Sequence, residues 1–112
     1  MKVVINCHQI SFGDNMIIYQ VRLVLKPEIE EDWLYWMRAV HIPDVIATGL
    51  IRNFQFLKER DSEELVYYAN YHFDSIEDYK QYESEFAPQL KQDVIERYPD
   101  QFTASRKLFN QI

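Results

Sequence analysis

MIIYQVRLVLKPEIEEDWLYWMRAV, residues 16–40, changes its period halfway along, and that change decides the fold. From Met16 onward, Ile17, Tyr19, Val21, Leu23 and Leu25 share one parity, while Gln20, Arg22 and Lys26 take the other. Alternation of period two is the mark of a half-buried strand. Pro27 suits the first turn of a helix, because its missing N–H would have no partner there. Glu28, Glu30, Glu31 and Asp32 follow, placing negative charge at the positive end of the helix dipole. Ile29, Trp33, Trp36 or Met37, and Val40 then recur at helical spacing. A strand therefore feeds directly into a helix.

Downstream, Pro43 is expected to stop this helix near His41 and to open a short second turn that Gly49 terminates. Leu50 to Arg60 reads as a second strand, with Leu50, Phe54 and Phe56 on one parity, and the charged stretch Lys58 to Glu64 as a hairpin tip. Leu65 to Phe73 reads as a third strand. Ser75 followed by Asp78 resembles a capping box and opens a helix striped by Ile76, Tyr79, Tyr82 and Phe86. Pro88 should kink or restart that helix toward Leu90, Val94 and Tyr98, and Phe102 to Phe109 fits a last strand. The order β-α-β-β-α-β is the split βαβ of an α+β, ferredoxin-like sandwich. A short echo between Ile29-Glu30…Trp33…Trp36 and Ile76-Glu77-Asp78-Tyr79…Tyr82 supports two pseudo-repeated halves.

Right-handed crossovers place both helices on one face of the sheet. Tyr19, Val21, Leu23, Tyr67, Ala69 and Tyr71 should lie beneath them. The other face then carries Ile18, Gln20, Arg22 and Val24 beside Val66, Tyr68, Asn70 and His72. Such a surface is too apolar to stay wet without cost and too polar for an ordinary core. It suits a homodimer interface with sheet packed on sheet, and a homodimer is expected.

Composition narrows the function classes. Two glycines in 112 residues exclude the glycine-rich loops of Rossmann and P-loop sites. A net charge of −6 argues against nucleic acid, since phosphates require clustered Lys and Arg. Residues 74–96 alone hold seven acids against two lysines, which reads as a solvated face. One cysteine permits neither an intrachain disulfide nor a cysteine-based zinc site. No apolar run approaches the ~18 residues that span a membrane. The N-terminal stretch has no signal-peptide core, so no membrane association and a cytoplasmic protein are expected.

The run from Trp33 through Trp36, His41-Ile42-Pro43 and Thr48-Gly49 resembles a bacterial family of domains of unknown function, whose members carry W-x-x-W-x-x-x-x-H-I-P followed by T-G. Met16-Ile17-Ile18-Tyr19 matches the start of those proteins, and Tyr79, Tyr82, Pro88 and Leu90 fit their second helix. The resemblance extends over residues 16–110 and implies a dimeric α/β barrel, with no implied activity. Residues 16–112 are accordingly expected to form one ferredoxin-like domain. Residues 1–15 precede the usual start, as an N-terminal extension or, by preference, an upstream misannotation with Met16 as initiator. Cys7 and His8 lie in this stretch and receive no role.

His41 can be read as a base or hydrogen-bond donor at the mouth of a pocket between helix and sheet, or as a helix C-terminal histidine favoured by the dipole. Trp33, Trp36, Tyr19 and Tyr71 form either an aromatic pocket for a small hydrophobic ligand or plain core. These four residues and His41 are the candidate pocket. His72 with Asp74 and His41 with Asp44 lack further ligands, so no metal is expected, and no nucleophile elbow or Cys–His arrangement is present. The dimeric α/β barrel resemblance leaves three classes. The first reading is a homodimeric small-molecule-binding domain with no cofactor. The alternative is a cofactor-independent monooxygenase-like enzyme acting on an aromatic or quinol substrate. Haem-degrading relatives use a haem-ligating helical histidine, and the second helix here has none. RNA binding through the aromatics of Leu65–Phe73 is disfavoured because the strand lacks the basic-Gly opening of RNA-recognition motifs and the protein is acidic.

Overall fold

The computed structural model describes residues 16–112. The readings of residues 1–15, including Cys7 and His8, lie outside the described residues.

Strand β1 (Ile17–Leu25) leads through a 3₁₀ turn at Pro27–Ile29 into helix α1 (Glu30–Trp36). A π-helical turn, Met37–His41, joins α1 without a break to α2 (Ile42–Ile46). Strands β2 (Asn53–Lys58) and β3 (Leu65–Phe73) form a hairpin, followed by α3 (Ile76–Glu85), α4 (Ala87–Arg97) and β4 (Phe102–Asn110). The sheet has the order β2-β3-β1-β4, and every neighbouring pair is antiparallel. This is the ferredoxin-like arrangement read from the sequence.

Register fixes the two faces. Tyr19 pairs with Tyr71, Val21 with Ala69 and Leu23 with Tyr67. Tyr19 meets Tyr79 and Tyr82 of α3 on that face, and Tyr67 meets Trp33 of α1, so both helical layers cover the same side. Two buried clusters fill the space between. One centres on Trp33, Trp36, Met37, Leu23, Tyr67 and Tyr98, and the other on Tyr19, Tyr71, Phe73, Val45, Tyr82 and Ala87.

Local chemistry explains the boundaries. The Ser75 hydroxyl accepts the Asp78 N–H at 3.1 Å and starts α3. Pro88 lies in the first turn of α4, where its missing N–H is harmless, and the helix restarts at Phe86. Gly49, at φ +81°, closes the first helical segment by donating its N–H to Ile46 at 3.0 Å.

Three expectations are corrected. The first helix does not stop near His41. Pro43 offers no N–H to the preceding turn, and the helix widens there, with Ile42 N–H bonding back five residues to Met37. The extra residue shifts the apolar stripe by one position, so Ile42 and Val45 are buried while Val40 is 40% exposed. The second strand is also shorter than Leu50–Arg60. Beyond its ends only single backbone bonds persist, from Arg52 to His72 and from Glu59 to Val66.

Trp33 is 0% exposed, with its ring 4.9 Å from Tyr67 and 5.7 Å from Phe56. Trp33→Ala should cost about 3–5 kcal/mol in urea unfolding, the usual range for deleting a buried ring. Tyr35→Ala, two residues on and 73% exposed, should stay within about 0.5 kcal/mol. Equal effects would contradict the packing described.

Candidate functional site

The two core clusters do not close on each other. Between them lies a cavity of about 170 Å³. Its floor is the central row of the sheet, where Ala69, Val21 and Arg106 are cross-strand neighbours. Small side chains at Ala69 and Val21 leave the space that their aromatic neighbours fill elsewhere. Leu90 and Val94 of α4 and Tyr82 of α3 form the roof. Exposed Ile95 and Arg106, with half-buried Lys91, mark the mouth between α4 and the edge strand β4.

The π turn delivers Met37 and His41 to this cavity. Extra helical residues of this kind occur frequently at functional sites. Because the helix runs on to Ile46, His41 is not a C-terminal histidine and gains little from the dipole. Burial instead holds its imidazole below the ordinary value, against the opposing pull of Asp44 and Asp93. The ring is therefore neutral at pH 7 and can accept a proton or a hydrogen bond. Trp36 backs it, stacked at 5.3 Å and 26°.

Tyrosines and cations define the opposite part. Tyr19 is 3% exposed, and its hydroxyl has no hydrogen-bond partner among the described residues. Burial raises its pKa, with the Arg106 charge acting in the other direction. Burial likewise pushes Tyr71 and Tyr82 up, so all three phenols remain protonated donors near neutrality. Beside them Glu83 accepts from the Tyr79 hydroxyl and from Lys91 Nζ, the latter at 2.9 Å. Burial would raise the Glu83 carboxyl, but those two bonds and the charges of Lys91 and Arg106 together outweigh it and hold the carboxyl low.

Of the five candidate residues, Tyr19, His41 and Tyr71 line the cavity together. Trp33 does not, being enclosed by Phe56 and Tyr67, and Trp36 stands behind His41 rather than in the space itself. Sequence reasoning missed Arg106, Lys91 and Tyr82. A signal for Arg106 was present, since it is a charge on the helix-facing parity of β4 with Phe102 and Ala104. Among the described residues no group of three His, Cys, Asp or Glu side chains could hold a metal. No helix among them is long and apolar enough to cross a membrane.

The family model described as "Domain of unknown function (DUF4286)" matches residues 16–112. No curated protein matches the chain. Solved structures share the fold at low identity. A NIPSNAP family protein from Agrobacterium tumefaciens superposes with a TM-score of 0.70 at 13% identity, covering 88% of this chain and 87% of its own. An ethyl tert-butyl ether D family protein from Bacillus halodurans gives 0.66 at 12%, covering 86% and 99%. SnoaB, a cofactor-independent oxygenase from Streptomyces nogalater, gives 0.62 at 11%, covering 88% and 94%. What they share with this chain is the ferredoxin-like α+β fold.

An NMR titration of His41 should give a midpoint below its ordinary 6.5. Folding disfavours the protonated ring, so the stability it contributes is complete above the unfolded pKa and is lost as pH falls through the lower folded one. His41→Gln should flatten the stability profile between about pH 5 and 7. A midpoint at or above the ordinary value would contradict the burial described.

Proposed function

We propose that this chain, which belongs to the DUF4286 family of domains of unknown function over residues 16–112, is a homodimeric binding domain for a small molecule built on a single aromatic ring. The functional unit in this reading is residues 16–112, with residues 1–15 as an extension or an upstream start. The observation that carries it is the gap between the two core clusters, aromatic and aliphatic in its walls, with Tyr19, His41 and Arg106 among its lining residues.

Size limits the ligand. An engineered apolar cavity of about 150 Å³ accepts benzene, and about 170 Å³ is available here. One ring with a short substituent fits. A porphyrin or a fused polycycle does not fit without opening the core. Polar atoms are few and distinct, as ligand sites require: neutral His41 at one end, Tyr19 and Arg106 at the other.

The dimer is supported by the sheet face turned away from the helices. Asn70 Oδ1 and His72 Nε2 are buried there without partners among the described residues, while Leu57 and Phe109 are exposed. The same face aligns Gln20, Asn70, Gln55 and Lys107 in one cross-strand row. A second copy packed on this face would cover the apolar positions and offer donors and acceptors to the stranded ones.

One observation favours the second reading, a cofactor-independent monooxygenase-like enzyme. Neutral His41 faces the cavity and could take the hydroxyl proton of a quinol, leaving an electron-rich ring open to oxidation by molecular oxygen. The description of one structural relative as a cofactor-independent oxygenase supports this chemistry.

Benzyl alcohol, benzoate and hydroquinone are the probes for binding. At about ten times Kd the native state gains about 1.4 kcal/mol and the thermal midpoint rises by roughly 6–11 °C. Ala69→Leu should fill the cavity, keep cooperative unfolding and abolish the response. No shift with any probe would contradict the binding reading, and oxygen uptake with hydroquinone that is lost in His41→Ala would favour the enzyme. Sedimentation equilibrium should return twice the 13.6 kDa chain mass at micromolar concentration. A monomer there would contradict the interface.

A further inference from the structure

The cations at the mouth of the cavity are not equivalent. Lys91 is paired with Glu83 at 2.9 Å. Arg106 has no carboxylate within ion-pair distance among the described residues, although acids outnumber bases in the chain, 18 to 12, and it lies close enough to Tyr19 to oppose the upward shift of that phenol. It sits in the row next to Tyr19, on the helix-facing side of β4, and its side chain lines the cavity. Tyr19 lines the same space, with its hydroxyl buried. A phenol and a planar guanidinium fork thus lie together at one apolar, ring-sized volume, with no carboxylate among the described residues paired to the guanidinium.

We propose that Arg106 and Tyr19 form an anion subsite that selects ring ligands bearing a carboxylate. The inference rests on the ring-binding reading above and specifies its ligand class. The guanidinium matches the two carboxylate oxygens with parallel N–H donors, and the Tyr19 hydroxyl donates a third bond to the same group. The ring extends inward over Ala69 and Val21, beneath Leu90 and Val94. Lys91, already neutralised by Glu83, adds little. The competing use of an inward-facing charge on an edge strand is to block pairing with other sheets. That use explains a charge on β4 but not the place of Arg106 beside Tyr19 in the wall of a cavity.

Benzoate and its neutral isostere benzamide separate the possibilities by calorimetric titration of the full chain. Benzoate should bind about tenfold or more tightly over benzamide, as a charge-assisted bond to a half-enclosed site allows, and its affinity should fall with added salt. Arg106→Gln should bring the two ligands to similar affinity, with benzoate losing far more than benzamide. Tyr19→Phe should weaken benzoate more than benzamide, and Arg106→Lys should retain part of the preference as a point charge. Equal binding of both ligands to the wild type would overturn the anion subsite and leave the ring site standing. A preference unchanged in Arg106→Gln, with a wild-type thermal midpoint, would overturn it too. Binding of neither ligand at about 10 mM, below useful affinity, would remove the ring site and this inference together.

Discussion

Pro43 has no N–H to return to the carbonyl of Ala39, and the core is arranged around that missing bond. The chain answers with a π turn over Met37–His41 instead of a helix end. One extra residue rotates everything after it, so Ile42 and Val45 replace Val40 in the buried stripe. Met37 and Ile42, on either side of the turn, both join the cluster around Trp33, Val45 joins the cluster around Phe73, and the boundary between the clusters falls between Ile42 and Val45. His41 belongs to neither cluster and faces the gap. A regular helix would have continued a single stripe across the sheet.

Phenol–carboxylate bonds hold the first helical segment in that position. Tyr67 donates to Glu30 at 2.6 Å, and Tyr98 donates to Asp32 at 2.6 Å. Each bond joins the start of α1 to a different element, β3 in one case and the end of α4 in the other. Lys58 and Arg97 add a second donor to each carboxylate and lie over the Tyr67 and Tyr98 rings respectively. Ion pairs this exposed contribute little by themselves. Their value is geometric, because Arg97 also lies over the Trp36 ring, and Trp36 in turn supports His41. A run of acids that reads in sequence as dipole complement alone therefore also fixes the wall of the cavity.

The strands were legible because period two is a local property, and the parity of Tyr19, Val21 and Leu23 settled which face meets the helices. Ser75 and Gly49 were equally readable, since capping depends on a few adjacent atoms. The fate of the helix at Pro43 was not readable. A proline can end, kink or widen a helix, and the choice depends on whether Ile42 and Val45 find a core, which is tertiary information. The pocket was half legible for the same reason. Tyr19, His41 and Tyr71 carried chemistry on the inward face, whereas the distinction between Trp33 as filler and Tyr82 as wall depends on how α3 and α4 cross the sheet. Arg106 stood on the inward parity and was passed over, because attention to aromatics hid a misplaced charge.

The central claim is that a ring occupies the gap between the two core clusters. Intermolecular NOEs between added benzoate and the protein test it without reference to activity. Cross-peaks from the ring protons to the Ala69 and Val94 methyls are expected, with none to Ala39 on the outer side of the first helix. Cross-peaks confined to the outward face of the sheet or to the helix exterior, with the Ala69 methyl silent at saturation, would contradict the account.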